Sequence, residues 1–326
     1  MKAIVCHELT GPSALRLEEV PEPHPTPGQV RVKVRACGVN FADSLIIRGQ
    51  YQMQPPLPFS PGFEVAGEVL ELGADVNGIA VGDRVIGMAG HGGYAEQAVI
   101  NAKRCVPMPT AISFTHGAAF PVVFGTSHIA LWHRARLQAG ETLVVHGASG
   151  GVGLTAVAIG KQLGAAVIAT ASSPEKLEIA RQQGADYLIN SSTEEVRVRI
   201  KALTGGRGAD VIYDPVGGDL FTASLRSIAF EGRILVIGFA GGTVPQIPAN
   251  HLLVKNVAVI GVNWPAYAEL NPQVMTTSFR ILMDWYQAGT IKPHISATYP
   301  LEQAVEALNQ VITRQSTGKV VITVNE

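Results

Sequence analysis

The chain has 326 residues, 47% of them apolar, which is roughly twice the size of an ordinary domain and enough for two separate cores. Its 25 basic and 26 acidic residues leave a formal charge of -1 with no long run of either sign, which argues against nucleic acid and anionic membranes as partners. The 3 cysteines, Cys6, Cys37 and Cys105, are odd in number and widely spaced, so no disulfide framework is expected and a reducing compartment suits them.

The opening stretch MKAIVCHELTGP is interrupted by His7, Glu8 and Pro12 before any signal-like apolar core develops. The most apolar region, 118–132, contains Pro121, Gly125 and His128 and falls short of the ~18 continuous apolar residues of a spanning helix. A soluble, cytoplasmic protein is expected.

Residues 1–122 read as β-rich. MKAIVCHEL, ALRLEEV, QVRVKVRACGV, FEVAGEVLEL, DRVIGM and YAEQAVI are alternating runs bounded by Gly, Pro and Asp, and PEPHPTPG at 21–28 is an extended connector. Short strands with such frequent turn signals predict a barrel-like domain.

After about residue 123 apolar strands alternate with helical segments, the pattern of a parallel sheet covered on both faces. Strands are predicted at 143–146, 167–171, 187–189, 211–214, 234–237 and 257–262, which makes a doubly wound six-stranded sheet over 123–269. Ser173 is placed to cap the helix beginning Pro174-Glu175, with Gly184 ending it, and Ser192 with Glu195 reads as a capping box for VRVRIKAL. The tail 270–326 offers a helix around SFRILMDWYQAG, a strand ISATY, a helix LEQAVEALNQVITRQ and a final strand KVVITV, and is expected to return to the first domain because a terminal strand needs a sheet to join.

The run LVVHGASGGVGLTAVAIGKQLGA at 143–165 fits strand, tight turn and helix. Glycines at 147, 150 and 153 let the backbone turn, approach a pyrophosphate and bring the helix close to the strand, while the helix N-terminus supplies free N–H groups. Its spacing is GxxGxxG rather than GxGxxG, so the surrounding strands carry the reading. An NAD site would place Asp or Glu ~20 residues on. Here that place holds Ser172 and Ser173, and Lys176 in the next helix turn can balance a 2′-phosphate, so NADPH is the expected cofactor. A lysine there is unfavourable to the helix dipole, which argues for another purpose. His146, just before the glycines, reads as a packed, hydrogen-bonded histidine.

Beyond these local signals, the chain resembles the quinone oxidoreductase branch of the medium-chain dehydrogenase/reductases over essentially its whole length. The resemblance rests on ACGVNFADSLIIRGQY (36–51), PGFEVAGEV (61–69), GDRVIG (82–87), HGASGGVG (146–153), YDPVGG (213–218), GFAGG (238–242) and STGKVV (316–321). It implies a GroES-like, β-barrel-type catalytic domain (1–122 and 270–326) around a Rossmann domain (123–269). In the zinc alcohol dehydrogenases sharing that fold, a cysteine stands where Asn40 stands and a histidine where Phe63 precedes Glu64, so no metal site is expected.

Without a Lewis acid, the simplest chemistry is hydride delivery to an electron-poor acceptor such as a quinone, the protein stabilising the oxyanion that forms. The resemblance places Tyr51 beside the nicotinamide and Asn40 in the vacated metal corner, making them the candidate catalytic residues. It also implies that Ser149, Gly150, Gly151, Val152 and Gly153 hold the pyrophosphate, Ser172 and Lys176 the 2′-phosphate, and that Gly238, Phe239, Ala240, Gly241, Val262 and Asn263 line the nicotinamide side. Ser191 is a further cofactor-binding candidate, standing after Asn190 where relatives often place an aromatic or basic residue. Asp43 and Arg48 also match the pattern and read as a structural ion pair. The apolar strand VAVIGVN is expected at a sheet edge, paired with its twin in a two-fold dimer as in relatives. The alternatives are an NADPH-dependent C=C reductase of α,β-unsaturated carbonyls or enoyl thioesters, and an NADPH-binding protein with a structural or regulatory role.

Overall fold

Residues 1–324 are described by the structure, a computed structural model, and they divide into two compact units: Met1–Val122 with the segment from Pro293 onward, and Val123–Lys292.

In the first unit β1 (Lys2–Cys6) pairs antiparallel with β2 (Leu15–Glu19). The alternating run QVRVKVRACGV becomes β3 (Gln29–Val39), which buries Val30, Val32 and Val34 and leaves Arg31, Lys33 and Arg35 at the margin, as a period of two requires. Then follow β4 (Glu64–Leu72), β5 (Arg84–Met88), β6 (Gln97–Asn101) and β7 (Cys105–Pro107).

The second unit is built on β8 (Thr142–Val145), β9 (Ala166–Ala171), β10 (Tyr187–Asn190), β11 (Ala209–Asp214), β12 (Ile228–Val236) and β13 (Ala258–Gly261). They form one sheet in the order β10-β9-β8-β11-β12-β13, every pairing parallel. Reversal of the strand order beside β8 makes this a Rossmann sheet. Ile168, Val144, Ile212, Ile234 and Val259 stand in register across five neighbouring strands. Burying each such side chain contributes about 1.5–3 kcal/mol, and strands covered on both faces read as unbroken apolar runs for that reason. The apolar stretch around residue 125 folds into the helix Pro121–His128 and a π-helical turn, Ile129–Arg134. Among the described residues no helix is long and apolar enough to cross a membrane.

The tail returns to the first unit through β14 (Ile295–Pro300) and β15 (Lys319–Thr323), giving a seven-stranded sheet in the order β14-β15-β3-β4-β5-β7 with β6 also on β3. The return begins later than expected. The helix Pro272–Gln287 belongs to the second unit, where Ser278 bonds His128 (2.8 Å) and Phe279 packs near Trp264, so the boundary lies near residue 293 rather than 270.

Ser173 caps the helix Pro174–Gln182 as expected, and Gly184 adopts the left-handed conformation beyond its end. The capping box over Ser192 does not form. The helix starts at Val196, so Glu195 itself is the N-cap of Val196–Leu203, its carboxylate accepting from Val198 N at 2.8 Å, and Ser192 lies before the cap, donating its hydroxyl to the carbonyl of Ser172 at 3.0 Å.

Candidate active site

Five of the six parallel strands end at segments picked out above as cofactor-binding. β8 runs into the glycine turn, β9 into Ser172, β10 into Ser191, β12 into 238–241, and β13 into Val262 and Asn263. Ligands bind at the carboxyl edge of such sheets, at the point where strand order reverses. Hydrogen bonds knit that edge together: Ala148 N to Thr170 O (2.9 Å), Ser191 Oγ to Ala171 O (3.2 Å), Gly241 N to Val216 O (2.8 Å) and Val262 N to Val236 O (3.1 Å).

The glycine turn is shaped for an anion. Gly147 has φ 56°, and a Cβ on Gly153 would overlap the Gly147 carbonyl and come within 2.8 Å of Ala148 Cα, so only glycine allows the helix so near the turn. Gly150 is the N-cap of the helix Gly151–Gln162 and supplies no side-chain bond to it, so the first N–H groups are left for a ligand. A dinucleotide pyrophosphate fits that cradle. No carboxylate follows β9: Ser172 and Ser173 stand there, with Lys176 in the first turn of the next helix.

His146 is fully buried beside this turn, its ring nitrogens 3.0 Å from Thr170 Oγ1 and 2.8 Å from Ser224 Oγ. Burial pushes its basicity below the ordinary histidine value, partly countered by the charge of Asp214. It is the packed histidine the sequence suggested.

In the first unit Asn40 lies at the end of β3, just before the short helix Phe41–Ile46. Its amide donates to Glu64 Oε1 (2.8 Å) and to Gly38 O (3.2 Å), and its Oδ1 accepts from Lys319 Nζ (2.9 Å). Both amide hydrogens are therefore engaged, which leaves Asn40 no hydrogen to offer an acceptor oxygen. The ammonium of Lys319 also reaches Glu64 Oε1 (2.7 Å) and Val39 O (2.9 Å), while Glu64 Oε2 accepts from Val122 N (2.8 Å). The donor set does not fit zinc: Phe63 has no lone pair to give, and the Asn40 and Glu64 oxygens surround an ammonium. Among the described residues no cluster of three His, Cys, Asp or Glu side chains is arranged for a metal.

Asp43 and Arg48 do not pair. The Asp43 carboxylate is fully buried and accepts from Asn40 N (2.7 Å), Gly62 N (3.1 Å) and Tyr94 OH (3.0 Å), whereas Arg48 donates to the Ser44 carbonyl at 3.1 Å. Asp43 points inward because three donors converge there. Burial pushes its carboxyl up to about 7, against the opposing pull of the Asn40 N–H, Lys319 and Tyr94.

Tyr51 is half-buried, its ring edge-on to Phe63 with centroids 5.2 Å apart. Burial, and secondarily the Asp43 charge, raise its phenol above the ordinary value, so it stays protonated and able to donate. The aromatic residue standing where zinc enzymes carry histidine thus supports the tyrosine.

Sequence reasoning misses Lys319, although it lies within STGKVV, and it misses the buried hydroxyls of Ser127, Thr155 and Tyr213 beneath the glycine turn. A lysine opening a strand and single hydroxyls in apolar runs carry no signal of partners so distant in sequence.

A phosphate-ready turn at the carboxyl edge of a Rossmann sheet, joined in one chain to a β-sheet unit, defines a two-domain dinucleotide-dependent oxidoreductase. Comparison with known proteins makes this specific. Residues 26–110 match the alcohol dehydrogenase GroES-like domain and residues 151–280 the zinc-binding dehydrogenase family. Quinone oxidoreductase-like protein 2 of Rattus norvegicus is 44% identical, over 98% of this chain and 91% of its own. The Escherichia coli quinone oxidoreductase complexed with NADPH superposes with a TM-score of 0.92 at 30% identity, covering 99% of this chain and 100% of its own. The CurK enoyl reductase gives 0.90 at 26% identity, with 99% of both chains covered. The chain belongs to the medium-chain dehydrogenase/reductase superfamily, among its quinone oxidoreductase-like members.

Proposed function

We propose that the protein is an NADPH-dependent, zinc-independent reductase that transfers hydride to quinones. The observation that carries this reading is the pairing of an uncapped, glycine-cradled helix N-terminus with a serine, not a carboxylate, after β9. It agrees with the NADPH bound by the Escherichia coli relative and with the name of the 44% identical Rattus norvegicus relative.

When bound, the reduced nicotinamide supplies the hydride. The N–H groups at 151–153 hold the pyrophosphate, Ser172 and Lys176 receive the 2′-phosphate beside Ser191, and residues 238–241 with Val262 and Asn263 flank the nicotinamide portion. Tyr51 donates a hydrogen bond to the acceptor oxygen as negative charge develops there, and solvent supplies the one proton that, with the hydride, completes the hydroquinone. Asn40 is a positioning residue in this scheme: its hydrogens are spent on Glu64 and Gly38. With a buried ammonium among the oxygens of the metal corner, the activation of the acceptor rests on hydrogen bonding rather than on a Lewis acid.

The assembly is a two-fold homodimer through β13. That strand closes one edge of its sheet, and the helix Ala249–Lys255 just before it exposes Leu253 and Val254 at 79% and 77%. A cytoplasmic location suits its three free cysteines.

A second reading, reduction of a C=C bond conjugated to a carbonyl, is favoured by the fold similarity to the CurK enoyl reductase. NADPH oxidation followed by absorbance, with a para-quinone and a short alkenal at matched concentration, separates the two. Faster turnover of the quinone is expected. Preference for the alkenal would move Tyr51 to the role of enolate donor, and NADPH binding without turnover of either would leave a non-enzymatic role.

A further inference from the structure

The helix that receives the pyrophosphate faces a structural conflict. Its first turn, Gly-Val-Gly, is conformationally loose, and its N-terminus carries no side-chain cap because the N–H groups must stay open to an anion. Whatever fixes this turn has to act from the carbonyl side.

Three buried hydroxyls meet there. Ser127 Oγ, from the helix Pro121–His128, lies 2.9 Å from the Val152 carbonyl, 2.8 Å from Thr155 Oγ1 and 2.9 Å from Tyr213 OH. Thr155 Oγ1 in turn contacts the carbonyls of Val152 (3.1 Å), Gly151 (3.3 Å) and Val123 (3.0 Å). Ser127 and Tyr213 are fully buried and Thr155 nearly so. With one hydrogen per hydroxyl, two proton orders serve the junction: Tyr213 and Thr155 donate to Ser127 and Ser127 to Val152 O, or Tyr213 donates to Ser127, Ser127 to Thr155 and Thr155 to Val123 O. Tyr213 stands in register with Val145 on β8 and accepts the His146 N–H at 3.0 Å, so the same residue grips the strand that enters the glycine turn. Phe, Ala and Val would fill these three places without the desolvation cost of hydroxyls, which buried chains bear only where the bonds specify a geometry.

We propose that Ser127, Thr155 and Tyr213 are positioning residues for the cofactor: their hydroxyl junction holds the first turn of the helix Gly151–Gln162 in the place where its N–H groups meet a pyrophosphate. The proposal rests on the NADPH reading above.

The test compares two ligands on full-length Tyr213→Phe and Ser127→Ala proteins: NADPH, and 2′-AMP, which carries the 2′-phosphate without the pyrophosphate. The expected result is a Kd for NADPH raised about three- to tenfold, the worth of one hydrogen bond, with the Kd of 2′-AMP within twofold of the parent. Thr155→Val is the second variant, chosen to keep volume and helix geometry. Lys176→Ala should show the converse pattern, weakening both ligands. Unchanged NADPH affinity in all three hydroxyl variants overturns the proposal, and so does an equal loss for both ligands, which would report general loosening of the unit. Failure of the parent protein to bind NADPH overturns the cofactor reading itself and is seen before any variant is made.

Discussion

The Lys319 ammonium lies 2.7 Å from the Glu64 carboxylate, and both side chains are almost entirely buried, 4% and 0% exposed. β15 and β4 both pair with β3, so this contact ties the returning tail to the sheet that carries Asn40.

Breaking that pair on one side leaves an uncompensated charge in the core. Lys319→Met is expected to destabilise the protein by about 3–5 kcal/mol, read from chemical denaturation, while Lys319→Met combined with Glu64→Gln should recover a substantial part of the loss. Strictly additive single and double variants would show that the two groups are not energetically coupled.

His128 gives a pH prediction. Burial pushes its basicity down to about 4, and while Nδ1 bonds Ser278 Oγ at 2.8 Å, Nε2 has no partner to receive the proton of an imidazolium. Between about pH 6.5 and 4 the unfolded chain therefore binds more protons at this residue than the folded one, so stability falls as pH falls through that window. The contribution is of order 3 kcal/mol in total. Subtracting the pH–stability curve of His128→Asn from that of the parent should isolate it, and parallel curves would refute the assignment.

Gly153→Ala forces a Cβ into the Gly147 carbonyl. The expected outcome is a loss of about 1–3 kcal/mol in stability and more than tenfold weaker NADPH binding, measured by thermal melting and fluorescence titration. Ordinary affinity in a folded variant would remove the close helix-to-turn approach from the account of binding.

Tyr51→Phe deletes only the hydroxyl and keeps the ring on Phe63. Turnover of a para-quinone should fall about tenfold to a hundredfold while the Kd of NADPH stays within twofold. Full activity in this variant would return Tyr51 to a packing role.

The elements that carry the cofactor edge were legible because their signals are local. Each apolar run of the Rossmann sheet became a strand with ends shifted by a residue or two, apart from β12, which starts six residues early at Ile228. The Ser173 cap and the glycine turn likewise depend only on near neighbours. Where expectation failed, a distant group had intervened. Ser192 lies before the cap of its helix, which Glu195 provides, and its hydroxyl donates instead to Ser172, at the end of the neighbouring strand. Asp43 ignored Arg48, five residues away, because Gly62 and Tyr94 brought it donors from elsewhere in the unit.

By itself the sequence determined the hydrophobic periods, the turns that only glycine permits, and the absence of zinc-ligating side chains at positions 40 and 63. These are properties of residue type and spacing, and backbone sterics read them without knowing the fold. The tertiary structure alone decided that Lys319 would fill the corner between Asn40 and Glu64, 255 residues from the latter, and that Ser127, Thr155 and Tyr213 would meet beneath the phosphate turn. A buried charge or hydroxyl is tolerated only when partners reach it within hydrogen-bond distance, and which partners do so is fixed by the packing of whole elements, not by the residues beside it in the chain.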